Sequence, residues 1–156
     1  KMIQYKEVTN EFEKSEITKE VLNELPDWFG IEESTRQYIE DSKELQFYAA
    51  YEESDNIGFI TVKQHNEYSA EIYVMGVKQK YHGKGIGKEL FKQVYMWCKK
   101  SHIEYLQVKT LDASHPDKNY AMTRKFYYSV GFRPLECFST LWDEDNPCLV
   151  MVMKIF

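Results

Sequence analysis

The most informative stretch of the sequence for the fold is Val77–Leu90, VKQKYHGKGIGKEL. It places Gly83, Gly85 and Gly87 at alternate positions between an apolar strand pattern and a helical pattern. Glycine adopts positive φ without strain and lets a ligand approach the backbone. The first turn of the following helix has free N–H groups at the positive end of the helix dipole. The stretch therefore predicts a phosphate-binding turn, and a purely structural turn is the alternative.

Basic charge is concentrated around these glycines. Residues 78–109 contain eight basic and two acidic side chains, whereas residues 1–55 contain fifteen acidic and six basic ones. A local excess of one sign attracts a ligand of the other sign, so a pyrophosphate would account for both the glycines and the lysines. A solvated, lysine-rich helix face is the alternative. The lysines nearest the glycines are Lys78, Lys80, Lys84 and Lys88.

Two common phosphate motifs do not match this stretch. In the dinucleotide fingerprint GxGxxG the third glycine would come one residue later than Gly87. In the P-loop a serine or threonine would follow the lysine, but Glu89 follows Lys88, and His82 stands where the first glycine would be. The net charge of −5 also argues against a nucleic-acid-binding protein.

Outward from this stretch, hydrophobic periodicity predicts eleven elements in the order β-α-α-β-β-β-α-β-α-β-β. This order indicates an α/β fold with a mixed sheet and helices on both faces. Asn10 and Ser34 are predicted to cap the first two helices, and Gly131 to end the last. The apolar face of the first helix is predicted to be Phe12, Ile17, Val21, Leu22 and Leu25. The predicted strands are Met2–Val8, Gln46–Glu53, Ile57–Gln64, Tyr68–Val77, Ile103–Leu111, Phe132–Leu141 and Cys148–Phe156. The predicted helices are Asn10–Leu25, Ser34–Leu45, Gly85–Ser101 and Asn119–Val130.

Length and composition predict a single domain over residues 1–156, with 43% hydrophobic residues. The longest purely apolar run, Cys148–Met153, is far shorter than the ~18 residues of a membrane span. The polar start of the chain does not resemble a signal peptide. Three cysteines at unrelated spacings predict neither a disulfide framework nor a metal site, and they fit a reducing cytoplasm.

Two motifs resemble those of the GCN5-related N-acetyltransferase (GNAT) family. Residues 70–88 resemble its acetyl-CoA motif. Residues 119–132 resemble its next motif, a helix in which Phe-Tyr is followed three residues later by Gly-Phe. The resemblance covers about residues 57–156. It implies a GNAT-like acyl-CoA N-acyltransferase fold, in which an antiparallel meander precedes a splayed pair of parallel strands. It also implies that acetyl-CoA is the co-substrate and that no metal is needed.

The resemblance assigns the acetyl-CoA contacts. The pantetheine arm would lie between residues 73–77 and the opposite strand, residues 106–110. Backbone N–H groups near Val74–Val77, among them those of Met75, Gly76 and Val77, would hold the thioester carbonyl. Asn119 would contact the pantetheine or the adenosine, although a helix N-cap is the alternative. The pyrophosphate would be held by His82, Gly83, Lys84, Gly85, Ile86, Gly87 and Lys88. His82 departs from the family pattern, which has Arg or Gln at that position.

Two residues are implied as catalytic. Tyr127 aligns with the family tyrosine that commonly protonates the departing thiolate, and core packing on one helix face is the alternative. Glu71 lies where the histone-acetyltransferase branch keeps its glutamate base, and an exposed strand residue is the alternative. Strict alternation along the strand would place Glu71 on the same face as Tyr73 and Met75.

The resemblance implies that the first two helices and the loop between the last two strands shape the acceptor pocket. Those segments contain Trp28, Phe29 and Trp142, with Asp143–Asp145 and many of the acidic residues of segment 1–55, which suit a cationic amine. Solvated acidic helix faces are the alternative. The predicted activity is therefore N-acetylation of a cationic small molecule. A protein lysine or N-terminus is an alternative acceptor, and a non-catalytic acyl-CoA-binding module is an alternative of another class. A homodimer through Cys148–Phe156 is also predicted.

Overall fold

The structure is a computed structural model that describes residues 2–156. Within these residues the chain forms the predicted order of seven strands and four α-helices, with one short 3-10 helix at Gln79–Tyr81. The strands are β1 Ile3–Glu7, β2 Gln46–Glu52, β3 Asp55–Gln64, β4 Ser69–Val77, β5 Tyr105–Leu111, β6 Arg133–Asp143 and β7 Asn146–Lys154. The helices are α1 Glu11–Asn23, α2 Glu32–Ser42, α3 Ile86–Lys100 and α4 Lys118–Val130.

The strands form a mixed sheet in the order β1-β2-β3-β4-β5-β7-β6. The pair β4–β5 is parallel, whereas the pairs β1–β2, β2–β3, β5–β7 and β6–β7 are antiparallel. Parallel pairing covers only Ser69–Ile72 of β4 and ends at Ile72 opposite Val108. The predicted fold class, with its meander and splayed parallel pair, is therefore confirmed.

The described chain divides into two compact units, and β4 contributes to both. The first unit comprises the residues up to Lys63 together with Tyr73–Trp97. The second unit comprises Gln64–Ile72 and Cys98–Phe156. The core of the first unit is formed by apolar residues from β1–β4, α1 and the segments beside them, namely Val8, Ile17, Val21, Leu22, Leu25, Phe47, Ala49, Phe59 and Val74.

Helices lie on both faces of the sheet within the first unit. A Cβ on Gly76 would lie 3.0 Å from Leu25 and 3.1 Å from Val21, beside α1. A Cβ on Gly58 would lie 3.4 Å from Leu90 of α3. The sheet therefore positions β4 with α1 on one face and α3 on the other.

The start of α1 confirms the prediction, whereas the start of α2 corrects it. Asn10 accepts a hydrogen bond from the Glu13 N–H at 2.9 Å and caps α1. Phe12 was predicted to be buried on α1 but is 71% exposed. It lies on the exposed helix face of Glu16 and Lys19, opposite the buried face that contains Ile17 and Val21. Ser34 does not cap α2, since the helix already begins at Glu32.

At α4 the alternative of Asn119 as the N-cap is wrong, whereas the prediction that Gly131 ends the helix is confirmed. Asn119 is not its N-cap, because the Asp117 carboxylate accepts from the N–H groups of Asn119 at 2.8 Å and Tyr120 at 3.0 Å. Gly131 ends the helix as predicted, in the left-handed region with φ 116°. A Cβ there would also lie 3.0 Å from Met153.

β4 contains one residue more than β3 opposite it. Two backbone hydrogen bonds join the strands near their ends, from Lys78 N–H to Ile57 O and from His65 N–H to Ser69 O. Between these bonds the chain advances nine residues from Ser69 to Lys78, but only eight from Ile57 to His65. Tyr73 packs against the core that contains Val74, and the Tyr73 hydroxyl donates to Asp41 of α2. Consecutive side chains on one face mark a β-bulge. Strict alternation through Glu71, Tyr73 and Met75 was therefore a wrong expectation.

Candidate active site

The glycine loop in the first unit has the backbone that the sequence predicted. Gly83 has φ 76° and Gly85 has φ 81°, a region that strains other residues. A Cβ at either position would meet no atom within 4 Å. Backbone conformation therefore requires glycine here, and the space beside the loop is open to a ligand. Gly87 lies in the first turn of α3 instead.

The first turn of α3 directly follows the positive-φ glycines. Glu89 N–H donates to the Gly85 carbonyl at 3.1 Å, which is the first bond of the helical pattern. The N–H groups of Ile86, Gly87 and Lys88 precede it and have no acceptor within the helix. Such groups bind phosphate at helix N-termini. The loop and helix start therefore fit the pyrophosphate of acetyl-CoA.

The lysines around the loop differ in their surroundings. Lys78 Nζ contacts Glu20 of α1 at 2.6 Å and Glu24, the C-cap of that helix, at 3.3 Å. Burial lowers the Lys78 pKa, but the two glutamates outweigh burial and raise it overall. Lys80 and Lys84 have their ammonium groups 5.2 and 5.4 Å from the centre of the Tyr81 ring. Lys78 therefore fastens the loop to α1, while Lys80 and Lys84 stand beside the glycines.

His82 is engaged with the backbone of its own segment. Its Nε2 lies 2.6 Å from the Val77 carbonyl oxygen, at the end of β4. Its ring meets the Trp28 ring edge-on, with 5.5 Å between the centroids. In the tautomer that carries the proton on Nε2, the imidazole donates to Val77 and leaves Nδ1 for another partner. Sequence analysis missed that Trp28, predicted as an acceptor residue, lies beside the glycine loop.

Glu71 belongs to a charged cluster in the second unit. Its Oε1 accepts from Lys109 Nζ at 2.9 Å and lies 2.8 Å from His65 Nε2. The Glu71 side chain is only 9% exposed, so the exposed-residue alternative is wrong. The sequence contained no signal for these two partners. Lys109 comes close through the parallel register that places Glu71 opposite Gln107, and His65 through the turn between β3 and β4.

Tyr127 is buried in α4, also in the second unit, and is 6% exposed. Its ring meets Phe126 and Phe132 edge-on, with centroids 5.5 and 5.7 Å away. One turn earlier, Arg124 donates to the Leu111 carbonyl at 2.6 Å and ties α4 to the end of β5. Asn119 is half-buried in the first turn of α4. Packing and anchoring therefore give the Tyr127 ring a fixed position.

The predicted acceptor residues are distributed over the two units. Phe29 of the first unit meets Tyr38 at 5.9 Å between centroids, and Tyr38 meets Tyr73 at 5.5 Å. In the second unit, Trp142 is 46% exposed on β6. Asp143 accepts from Asn146 Nδ2 at 2.9 Å, so its carboxylate stabilises the turn between β6 and β7.

A pocket that sequence analysis missed lies in the first unit. It has a volume of about 370 Å³. Four of its lining residues are acidic, two are basic, one is aromatic and one is aliphatic: Glu11, Glu40, Asp41, Glu44, Lys43, Lys63, Tyr73 and Leu45. The acidic residues come from helix ends and connections that lie apart in the sequence, so only the fold brings them together.

Two classes of site are absent from the part of the chain that the structure describes. Residues 2–156 contain no group of three or more His, Cys, Asp or Glu side chains that could hold a metal ion. No helix among them has the length and apolar character to cross a membrane.

A family model described as "Acetyltransferase (GNAT) domain" matches residues 43–134. This match covers more than half of the chain, which therefore belongs to the GNAT family of acetyltransferases that act with acetyl-CoA. None of the curated proteins matches the chain in sequence.

Solved structures share the fold over nearly the whole chain. A GNAT acetyltransferase from Elizabethkingia anophelis with acetyl-CoA bound is 19% identical, with a TM-score of 0.74 and 97% of each chain covered. The ribosomal-protein-S18-alanine N-acetyltransferase from Escherichia coli is 14% identical, with a TM-score of 0.75, covering 99% of this chain and 94% of that one. An aminoglycoside 6'-acetyltransferase type Ii is 18% identical, with a TM-score of 0.75, covering 100% of this chain and 98% of that one. At these identities the likeness concerns the fold alone.

Proposed function

We propose that this protein transfers the acetyl group of acetyl-CoA to a primary amine of a cationic small molecule. The observation that carries the proposal is the glycine loop, where Gly83 and Gly85 have positive φ, border open space and directly precede α3. Acetyl-CoA supplies the acetyl group as a thioester. The amine nitrogen forms a bond to the acetyl carbon while the bond from that carbon to sulfur breaks.

The assignment of binding residues follows the loop and β4. His82 precedes Gly83 and Lys84 lies between the two positive-φ glycines. These two side chains and the N–H groups of Ile86–Lys88 are assigned to the pyrophosphate. Backbone N–H groups of Met75, Gly76 and Val77 are assigned to the thioester carbonyl, whose oxygen gains negative charge during attack. Asn119 is assigned to the pantetheine or adenosine.

Proton transfer is assigned to two residues of the second unit. The amine must lose a proton, since an alkylammonium with a pKa near ~10 is not a nucleophile at neutral pH. Glu71 is the proposed base: Lys109 and His65 both contact its Oε1, so Oε2 is the oxygen assigned to the amine proton. Tyr127 is the proposed acid, because a phenol keeps its proton at neutral pH and can donate it to the thiolate.

Negative charge and aromatic rings support a cationic acceptor. Residues 1–55 have fifteen acidic and six basic side chains, and the pocket of the first unit is lined by four acidic residues. Such a surface attracts a cationic amine and raises its local concentration. Trp28 and Phe29, with Trp142 of the second unit, are assigned to acceptor binding because aromatic faces attract cations.

A screen of amine acceptors with acetyl-CoA tests the proposal, with release of free CoA thiol as the readout. The panel contains polyamines, aminoglycosides, amino-acid derivatives, neutral and acidic amines, and peptides with a free lysine or N-terminus. Turnover confined to cationic small molecules supports the proposal. Turnover of peptides alone favours the protein acetyltransferase, and turnover of neutral or acidic amines alone contradicts the cationic acceptor. Binding of acetyl-CoA without turnover of any amine favours the non-catalytic module.

A further inference from the structure

Thr61 of β3 makes two hydrogen bonds to one residue of β4. Its Oγ1 donates to the Val74 carbonyl oxygen at 2.7 Å and accepts from the Val74 N–H at 3.0 Å. Thr61 is fully buried and Val74 is 5% exposed. A single side-chain hydroxyl therefore pairs both backbone polar groups of a buried strand residue.

These two hydrogen bonds lie in the part of β4 that contains the bulge. The bond from Lys78 N–H to Ile57 O fixes the register at one end of the β3–β4 pair. Four residues further along each strand, that register places Val74 opposite Thr61. In a regular antiparallel pair, backbone groups of the two residues would bond to each other. A bulge disturbs that ladder, and a buried N–H or C=O without a partner is costly.

The bulge also fixes the phase of the rest of β4. A slip of one residue moves every following side chain to the opposite face. Gly76 now lies beside Leu25 and Val21, where an added Cβ would lie 3.0 and 3.1 Å from their side chains. After such a slip, a residue with a side chain would occupy this place. The core against α1 therefore requires the bulge, and Thr61 supplies the hydrogen bonds that the bulge leaves open.

We propose that Thr61 is a positioning residue for acetyl transfer, whose hydroxyl holds the backbone of Met75–Val77 in place for the thioester carbonyl. This inference rests on the proposed function, which assigns those N–H groups to that carbonyl. Thr61 acts through Val74, one residue before Met75, and does not touch the reacting atoms. Since a misplacement of about 1 Å in a catalytic site can lower the rate about a hundredfold, loss of the hydroxyl should affect catalysis more than folding.

The test compares Thr61→Val, which keeps the shape without the hydroxyl, with Thr61→Ser, which keeps the hydroxyl. Thr61→Ala removes the hydroxyl without adding a methyl group and replaces Thr61→Val if that variant does not fold. The matched control is Thr18→Val in α1, because Thr18 is also fully buried but bonds only within its own helix, to the Lys14 carbonyl. The readouts are kcat, the Kd of acetyl-CoA, melting temperature and hydrogen exchange of the Val74 amide.

We expect Thr61→Val or Thr61→Ala to lower kcat about a hundredfold and to weaken acetyl-CoA binding about tenfold, as for one lost hydrogen bond. The Val74 amide should exchange faster in these variants than in Thr61→Ser, which should stay within about threefold of the wild-type kcat. Thr18→Val should keep the wild-type kcat and Kd, with a lower melting temperature.

Three results would overturn the inference. The first is a kcat and a Kd in Thr61→Val and Thr61→Ala that equal those of the wild type. The second is an equal loss of kcat in Thr61→Ser, and the third is an equal loss in Thr18→Val. If the wild-type protein acetylates no amine but binds acetyl-CoA, the proposed function fails, and the Kd and the Val74 exchange still decide the role of Thr61. If the wild type does not bind acetyl-CoA, both fail.

Discussion

Tyr127 and Tyr128 are neighbours in α4 with opposite surroundings: Tyr127 is 6% exposed and Tyr128 is 44% exposed. We predict that Tyr127→Phe lowers kcat at least about a hundredfold, as removal of a general acid does, while the ring keeps its contacts with Phe126 and Phe132. Tyr128→Phe is the matched control and should keep the wild-type kcat. Steady-state kinetics checks both, and an unchanged kcat in Tyr127→Phe would remove that residue from the chemistry.

Glu71 combines a proposed role in proton transfer with an ion pair. We predict that Glu71→Gln lowers kcat about a hundredfold and lowers the free energy of unfolding by about 1–2 kcal/mol. The second effect is smaller than for a fully buried pair, because the Lys109 side chain is 28% exposed. Kinetics and urea unfolding measure the two effects separately.

Lys109→Met is the comparison for Glu71→Gln. It breaks the same ion pair but leaves the carboxylate in place. We expect a similar loss of stability and a smaller loss of kcat. Equal kcat values in the two variants would show that Glu71 contributes through structure and not as a base.

The three cysteines should react differently with Ellman's reagent. Burial raises the pKa of Cys98 to about 12 and that of Cys148 to about 11. Cys137 is exposed, although desolvation and the Asp112 carboxylate also raise its pKa. Since the thiolate is the reactive form, we predict one rapidly reacting thiol in the native protein at pH 8 and three after unfolding in urea. Three rapidly reacting thiols in the native protein would contradict the burial of Cys98 and Cys148.

At the scale of elements, the glycine loop is the part on which cofactor binding depends. We predict that Gly85→Ala lowers the free energy of unfolding by about 1–2 kcal/mol, the cost of left-handed backbone for a residue with a Cβ, and weakens acetyl-CoA binding. Gly85→Asn should lose less stability, because asparagine tolerates this region better. Urea unfolding and calorimetry check the pair. An Ala variant as stable as the wild type would show that the loop does not need positive φ at Gly85.

Elements whose signals are local could be predicted from the sequence. Asn10 and Gly131 act through atoms within a few residues, so their roles as helix cap and helix end were predictable. Ser34 and Asn119 were wrong as caps because the N-cap positions are occupied by Ile31 and Asp117, a few residues earlier. The β4 bulge was not predictable in position, because it depends on β3 through Thr61.

In the whole molecule, too, the parts of the site that depend on one stretch of sequence could be predicted, whereas those that join distant stretches could not. The glycine loop lies in one continuous stretch, so its backbone could be predicted. The cluster of Glu71, His65 and Lys109 joins β4, β5 and a turn, and the acidic pocket joins residues from four elements and connections. Such groupings arise from sheet register and helix packing, which no single stretch of sequence encodes.

The predicted homodimer would require an exposed surface near the last two strands. β7, on which that prediction was based, buries Cys148–Met151 within the chain itself, whereas every residue of β6 is exposed. Any dimer contact on this side would therefore involve β6. Sedimentation equilibrium checks the prediction, with a mass near twice 18.6 kDa expected for the dimer. A mass near 18.6 kDa would contradict it.

We propose that acetyl-CoA binds this chain through the glycine loop, and thermal melting with acetyl-CoA is the most direct test. NADH and ATP are the controls, because their phosphate motifs do not match this loop. A ligand at ~100 times its Kd stabilises the folded state by about 2.7 kcal/mol, or about 5–10 °C for a chain of this size. We predict that acetyl-CoA alone gives this shift and that Gly85→Ala reduces it. No shift with acetyl-CoA, or equal shifts with all three ligands, would contradict the account.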